Sequence, residues 1–184
     1  ASFKWVSTGH FARSPLELPL WAFLNLVRLA VADRGATSVF AAIVLLLTVG
    51  CIRWEHQGRS RIVMADAAGL RGHCAVGKAR RGGGRPGFAF RAPRCLENGK
   101  DTLGVLVPFY QELYRRAPNC STLVPDLILE DKRLQPHCEW KTTKMRGGKF
   151  LELLRGLLVL VGMPMQVAET TSFKTLRRFL ATLA

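Results

Sequence analysis

"LLLTVGCIRWEHQGRSRI" (residues 45–62) decides how the chain is read, because an apolar run breaks off there at Arg53, Glu55, His56, Arg59 and Arg61. The run is either a membrane anchor with a basic stop signal or a buried helix that carries an arginine to a site. Its apolar part, "VFAAIVLLLTVGCI" (39–52), has 14 residues including Thr48 and Gly50. A bilayer needs about 20 residues, and runs of about 10–14 are more often buried helices. Extending the run backwards meets Ser38, Thr37, Gly35, Arg34 and Asp33. Two other apolar stretches are also interrupted, 18–32 by Asn25 and Arg28, and 150–165 by Glu152, Arg155 and Gly156. Length therefore favours a helix buried in a protein core, with a small membrane subunit anchored by 39–52 or 150–165 as the alternative.

The rest of the composition fits a folded chain. Of 184 residues, 48% are hydrophobic and 22% charged, enough apolar surface to offset ordering entropy in one ordinary domain. The formal net charge of +14, rich in Arg, points to a polyanionic partner. Nucleic acid comes first, since guanidinium forks bind phosphate bidentately and displace counterions; an anionic membrane or a ribosome-like assembly is the alternative. Five scattered cysteines without a C-x-x-C fit a reducing compartment and neither a disulfide framework nor a zinc site. The N-terminus lacks the pattern of a secretory signal. No Walker skeleton, Ser-His-Asp order or G-x-S-x-G is present, and "KTTKMRGGK" (141–149) matches a phosphate loop only superficially.

Along the chain, Pro15 to Ala32 reads as an amphipathic helix with Leu20, Phe23, Leu24, Val27 and Val31 on one side. Ser38 or Thr37 is the expected N-cap of the next helix, which should run to about Arg59. Residues 61–66 and 71–78 read as two strands joined around Gly69, and "GFAF" (87–90) as a further strand after a Gly- and Arg-rich loop. Helices are expected over Thr102–Arg116, Lys149–Val161 and, capped by Ser172, to Leu183. The expected fold is α+β, mostly helical, with a small antiparallel hairpin or sheet at one edge. Residues 1–35 are expected to be an N-terminal segment or linker with an amphipathic helix, and 36–184 the main domain.

Three places put cations at the ends of ordered elements: Arg53 after the apolar helix, Lys78 in a Gly-Lys turn after a strand, and Lys174 with Arg177 on one face of the last helix. Taken singly, each is also what a helix end, a turn or a solvated face carries. Their order resembles the tyrosine recombinase (integrase) catalytic domain. "TVGCIRWE" (48–55) is similar to that family's T-G-L-R-x-x-E, "VGKARRGGGRP" (76–86) to its lysine-bearing β-turn, and "KTLRRFLAT" (174–182) to its H-x-L-R-x-x-x-A-T helix, with Lys174 where histidine is usual. The ending also resembles integrases of retroelements and related transposons.

The resemblance implies DNA breakage and rejoining in DNA recombination or integration, without metal or other cofactor. A tyrosine hydroxyl attacks a backbone phosphate, and a free 5′-hydroxyl later reverses the step. It assigns Arg53, Lys78, Lys174 and Arg177 as catalytic positions. Two arginine forks suit the charge that develops on a pentacoordinate phosphorane, and a desolvated lysine suits protonation of the leaving oxygen. Arg80, Arg81, Arg85 and Arg178 are candidate DNA contacts. The partner is DNA, with a homo-oligomer on it, in the nucleus or another DNA-containing, reducing compartment. The family's nucleophilic tyrosine follows the last arginine, whereas Tyr110 and Tyr114 precede it. The expectation is a domain truncated before its nucleophile and inactive alone, the alternative being a non-catalytic basic subunit of a nucleoprotein assembly. Large aromatics such as Trp5, Trp21, Trp54 and Trp140 are expected in or beside the core, although Trp54 is also placed to wall the site.

Overall fold

The apolar run becomes α2 (Gly35–Val49), and every side chain from Ala36 to Thr48 except half-buried Val39 is buried. A helix apolar all round belongs inside a protein, and 15 residues reach only about 22 Å at 1.5 Å per residue. The computed structural model describes residues 17–76 and 86–182, and among them no helix is long and apolar enough to cross a membrane. Around α2 pack α1 (Leu20–Ala30), α4 (Leu106–Arg116), α7 (Phe173–Thr182) and a small sheet, while α5 (Gly147–Leu160) sets Phe150 against Phe40 at 5.5 Å. The fold is α+β.

Polar groups on α2 are satisfied locally. Thr48 donates to the Val44 carbonyl at 2.8 Å. Ser38 is not the N-cap expected of it: the helix already begins at Gly35 (φ 51), and Arg34 holds the cap position. The Ser38 hydroxyl instead accepts from the Arg34 N–H at 2.9 Å and donates to the Leu29 carbonyl at 2.7 Å, tying the end of α1 to the start of α2. The buried side of α1 is also rotated from expectation. Ala22, Phe23, Leu26, Val27, Leu29 and Ala30 face the core, while Leu20 and Val31 are exposed.

The helix expected to reach Arg59 stops at Val49. Cys51 turns into the left-handed region (φ 50), its N–H bonds the Thr48 carbonyl at 3.2 Å, and the Ile52 N–H bonds the Leu47 carbonyl at 3.1 Å. This Schellman arrangement closes the last carbonyls, and Ile52 is buried beyond it. The chain resumes as one turn, α3 (Trp54–Gln57), with Arg53 in extended backbone at its N-cap.

β1 (Ser60–Asp66), β2 (Gly69–Cys74) and β3 (Phe88–Pro93) form an antiparallel meander in that order, where the sequence suggested a hairpin with a further strand. The Asp66 carboxylate accepts from the Ala68 and Gly69 N–H groups at 2.9 and 3.0 Å, forming the first turn. In β2 and β3 burial alternates: Leu70, Gly72, Cys74, Phe90 and Ala92 face inward. Two smaller antiparallel pairs were not expected. β4 (Cys95–Glu97) and β5 (Lys100–Asp101) turn at Asn98-Gly99 with positive φ at both, and β6 (Pro125–Ile128) pairs with β7 (Glu139–Lys144). α4 starts at Leu106 rather than Thr102: the Thr102 and Leu103 N–H groups bond back to the Lys100 and Arg94 carbonyls, and turns from Leu103 to Leu106 and from Gly104 to Val107 lead into the helix. A one-turn α6 (Met165–Ala168) links α5 to α7.

Gly72 lies under the Phe90 ring, and a Cβ there would fall 2.0 Å from Cζ. Gly72→Ala is expected to destabilise the fold by about 1–3 kcal/mol through overpacking. In a Phe90→Leu background the same substitution should cost clearly less. A double-mutant cycle by urea unfolding checks the coupling.

Candidate functional site: a cationic pocket between α3 and α7

Two separate segments meet at one pocket. The link from α2 into α3 supplies Arg53, Trp54 and Glu55, and α7 supplies Phe173, Lys174 and Arg177, which together line a cavity of about 260 Å³. α7 reaches this place because its apolar face is buried: Leu176 and Phe179 enter the core, and Phe179 stacks on Phe23 at 4.4 Å. The helical period then leaves Lys174 and Arg177 together on the outer side. Arg178 is exposed and does not line the pocket.

An aromatic stack sets the distance between the two segments. Trp54 lies on Phe173 with centroids 4.6 Å apart and an interplanar angle of 20°, and against Phe150 of α5 at 4.7 Å. The first residue of α5 must be small there, since a Cβ on Gly147 would stand 3.0 Å from the Trp54 indole nitrogen. Phe173, Phe150 and Gly147 were missed by sequence reasoning. The usable signal was an aromatic residue beside each cation, Trp54 after Arg53 and Phe173 before Lys174.

The charges in the pocket are unequal. Arg53 Nη1 stands 3.8 Å from Glu55 Oε1, and both side chains are substantially exposed. The same carboxylate oxygen is 3.5 Å from His56 Nε2. His56 is turned inward, 8% exposed, with its ring edge on Phe88 at 5.1 Å. Burial lowers its pKa from the ordinary 6.5, Glu55 opposes that shift, and Arg53 and Arg59 add to it. His56 is therefore neutral near pH 7 and is part of the core rather than a phosphate donor. Behind it, Gln57 is fully buried, and its side-chain Oε1 accepts from Thr122 Oγ1 at 2.7 Å and the Val124 N–H at 3.3 Å.

Comparisons with family models, curated proteins and solved structures give no match to this chain.

Lys78, Arg80, Arg81 and Arg85 lie outside the described residues. Both tyrosines are committed to the fold. Tyr110 is buried and donates to the Leu123 carbonyl at 2.7 Å, and burial pushes its pKa well above the ordinary value. The Tyr114 oxygen accepts from the Ile62 N–H at 2.9 Å, and burial raises its pKa to about 12. Neither lines the pocket. Among the described residues no group of three or more His, Cys, Asp or Glu side chains is placed to hold a metal ion. Trp140 is half-buried against Phe109 at 4.8 Å, whereas Trp21 is 45% exposed, against the expectation for large aromatics.

The lowered pKa of His56 gives a stability term with a definite sign. Below pH 6.5 the unfolded chain takes up a proton that the folded chain resists. Stability is therefore full above 6.5 and falls as pH drops toward the folded pKa. Urea unfolding between about pH 7.5 and 5 should show this loss in the wild type and a flatter profile in His56→Gln, because that window isolates histidine titration.

Proposed function

We propose that the pocket binds a backbone phosphate of DNA, in the manner of a tyrosine-recombinase catalytic domain. The observation that carries this reading is that Arg53, Lys174 and Arg177, far apart in sequence, line one small cavity. Two guanidinium groups and an ammonium around a space of that size suit a phosphodiester, whose two non-bridging oxygens accept from arginine forks. In the complete reaction such donors are worth most at the phosphorane, where negative charge on those oxygens is greatest. Lys174, where the family carries histidine, keeps a cationic donor toward the same oxygens. Glu55 also lines the pocket, and its carboxylate, 3.8 Å from Arg53, offsets part of the positive charge there.

Phosphate binding is the part of that chemistry for which the described pocket has groups. Both tyrosines are spent on packing, so the proposal covers the holding of DNA and assigns neither of them as a nucleophile. A non-catalytic role in a nucleoprotein assembly is the second reading, and the same observation favours it. The two share the partner and differ in whether Arg53 and Arg177 act as a unit.

Salt-dependent binding to a short duplex separates them. Arg53→Ala/Arg177→Ala is expected to weaken binding more than the charge-matched Arg115→Ala/Arg116→Ala on α4. Its plot of log affinity against log salt should be shallower by about 0.9 for each phosphate that the variant no longer neutralises. Equal weakening in the two folded variants would reduce the protein to a diffuse basic binder.

A further inference from the structure

The outward face of the β1–β2–β3 meander carries a charge pattern that works against its own stability. The register sets Arg71 of β2 directly opposite Arg91 of β3, and both are exposed. Side chains so paired have Cβ atoms about 4.5–5.5 Å apart, and like charges there are destabilising. The strands cannot slip to relieve the clash. Leu70, Gly72, Phe90 and Ala92 fill the inner face, and a one-residue shift of either strand would turn its arginine into the core and its apolar residues outward.

Nearby groups neutralise the pair only in part, since a single carboxylate stands near two guanidinium groups. Asp66 Oδ2 stands 3.2 Å from Arg71 Nη2, but its other oxygen is committed to the β1–β2 turn. Arg91 acts on Asp66 only at longer range and makes no hydrogen bond or ion pair among the described residues. Arg94 is consumed by a two-point contact with Asp101. Further along the face, His73 of β2 sits opposite Ala89 of β3 and Arg61 of β1, with its ring over Gly87. Arg61 leans off the edge to the Pro118 carbonyl, above the Tyr114 ring. An acidic residue at 71 or 91 would turn the repulsion into a cross-strand ion pair; the chain has arginine at both.

We propose that this sheet face is a second DNA-binding surface, separate from the pocket, on which the phosphate backbone of a duplex lies between Arg71 and Arg91. A phosphate there accepts from both guanidinium forks and removes the repulsion between them. The inference shares its partner with the reading above but none of its residues, and the two fail separately.

The test measures two properties of the full chain, thermal stability and salt-dependent binding to a short duplex, in the wild type, Arg91→Glu, Arg91→Gln and Arg53→Ala/Arg177→Ala. Arg91→Glu is expected to melt above the wild type, because a cross-strand ion pair replaces a like-charge pair, while binding the duplex more weakly with a shallower salt slope. Arg91→Gln should lie between the two on both measures. A rise in melting temperature with unchanged duplex affinity and slope would overturn the proposal, leaving Arg91 a surface charge only. Weakening confined to the pocket variant would sink the sheet face and keep the pocket; weakening confined to the Arg91 variants would do the reverse. The sheet-face proposal also falls if Arg91→Glu retains duplex binding but no longer binds phosphatidylserine vesicles, since the face would then serve a membrane.

Discussion

Everything else in the molecule is arranged around the burial of α2. Removing side chains such as Phe40, Ile43, Leu45 and Leu46 completely from water is worth about 1.5–3 kcal/mol each, so a helix without a polar face must be enclosed on all sides. α1, α4, α7 and the meander supply that enclosure, and each is amphipathic because each has one side on α2 or its neighbours. The cations lie where this packing leaves a surface. Arg53 follows the point where α2 must end, and Lys174 and Arg177 sit on the side of α7 that the core cannot use.

The pocket is a by-product of how α2 is terminated. A helix continued to Arg59 would have carried Arg53 on along its axis. The left-handed turn at Cys51 redirects the chain, and α3 then presents Trp54 to Phe173 and Phe150. Three elements meet on that indole ring. The cationic pocket therefore rests on an apolar contact, which fixes the spacing of charges that would otherwise move apart. Glu55 and the buried, neutral His56 add a limited counterweight on one side.

The two cationic surfaces differ in how they are held. In the pocket, cations from separate segments converge and a carboxylate stands beside one of them. On the sheet, the cations are adjacent by register, and the core behind them prevents any rearrangement. Both are ways of storing repulsion in a fold whose formal net charge is already +14. A polyanion, the partner proposed for both, would relieve that repulsion, which would link the global charge to particular positions.

Some of this is determined by local sequence alone. The length and near-continuous apolarity of 39–49 are enough for a buried helix, and the period of "FKTLRRF" is enough to put Lys174 and Arg177 on one face. Strands at 61–66, around 71–78 and at 87–90 were legible too, although the alternation is imperfect and the observed bounds, Gly69–Cys74 and Phe88–Pro93, came from the pairing. The Asn98-Gly99 turn is equally legible, although no strand pair was expected around it. Tertiary structure decided the rest. Whether α2 stopped at Val49 or ran on to Arg59 depended on a left-handed residue that is not glycine, which propensity disfavours and the packing of Ile52 makes worthwhile. The meeting of Trp54 with Phe173, and of Arg71 with Arg91, depended on contacts between distant segments. Local periodicity says which side of an element is apolar; only the closed core says which other element that side will meet.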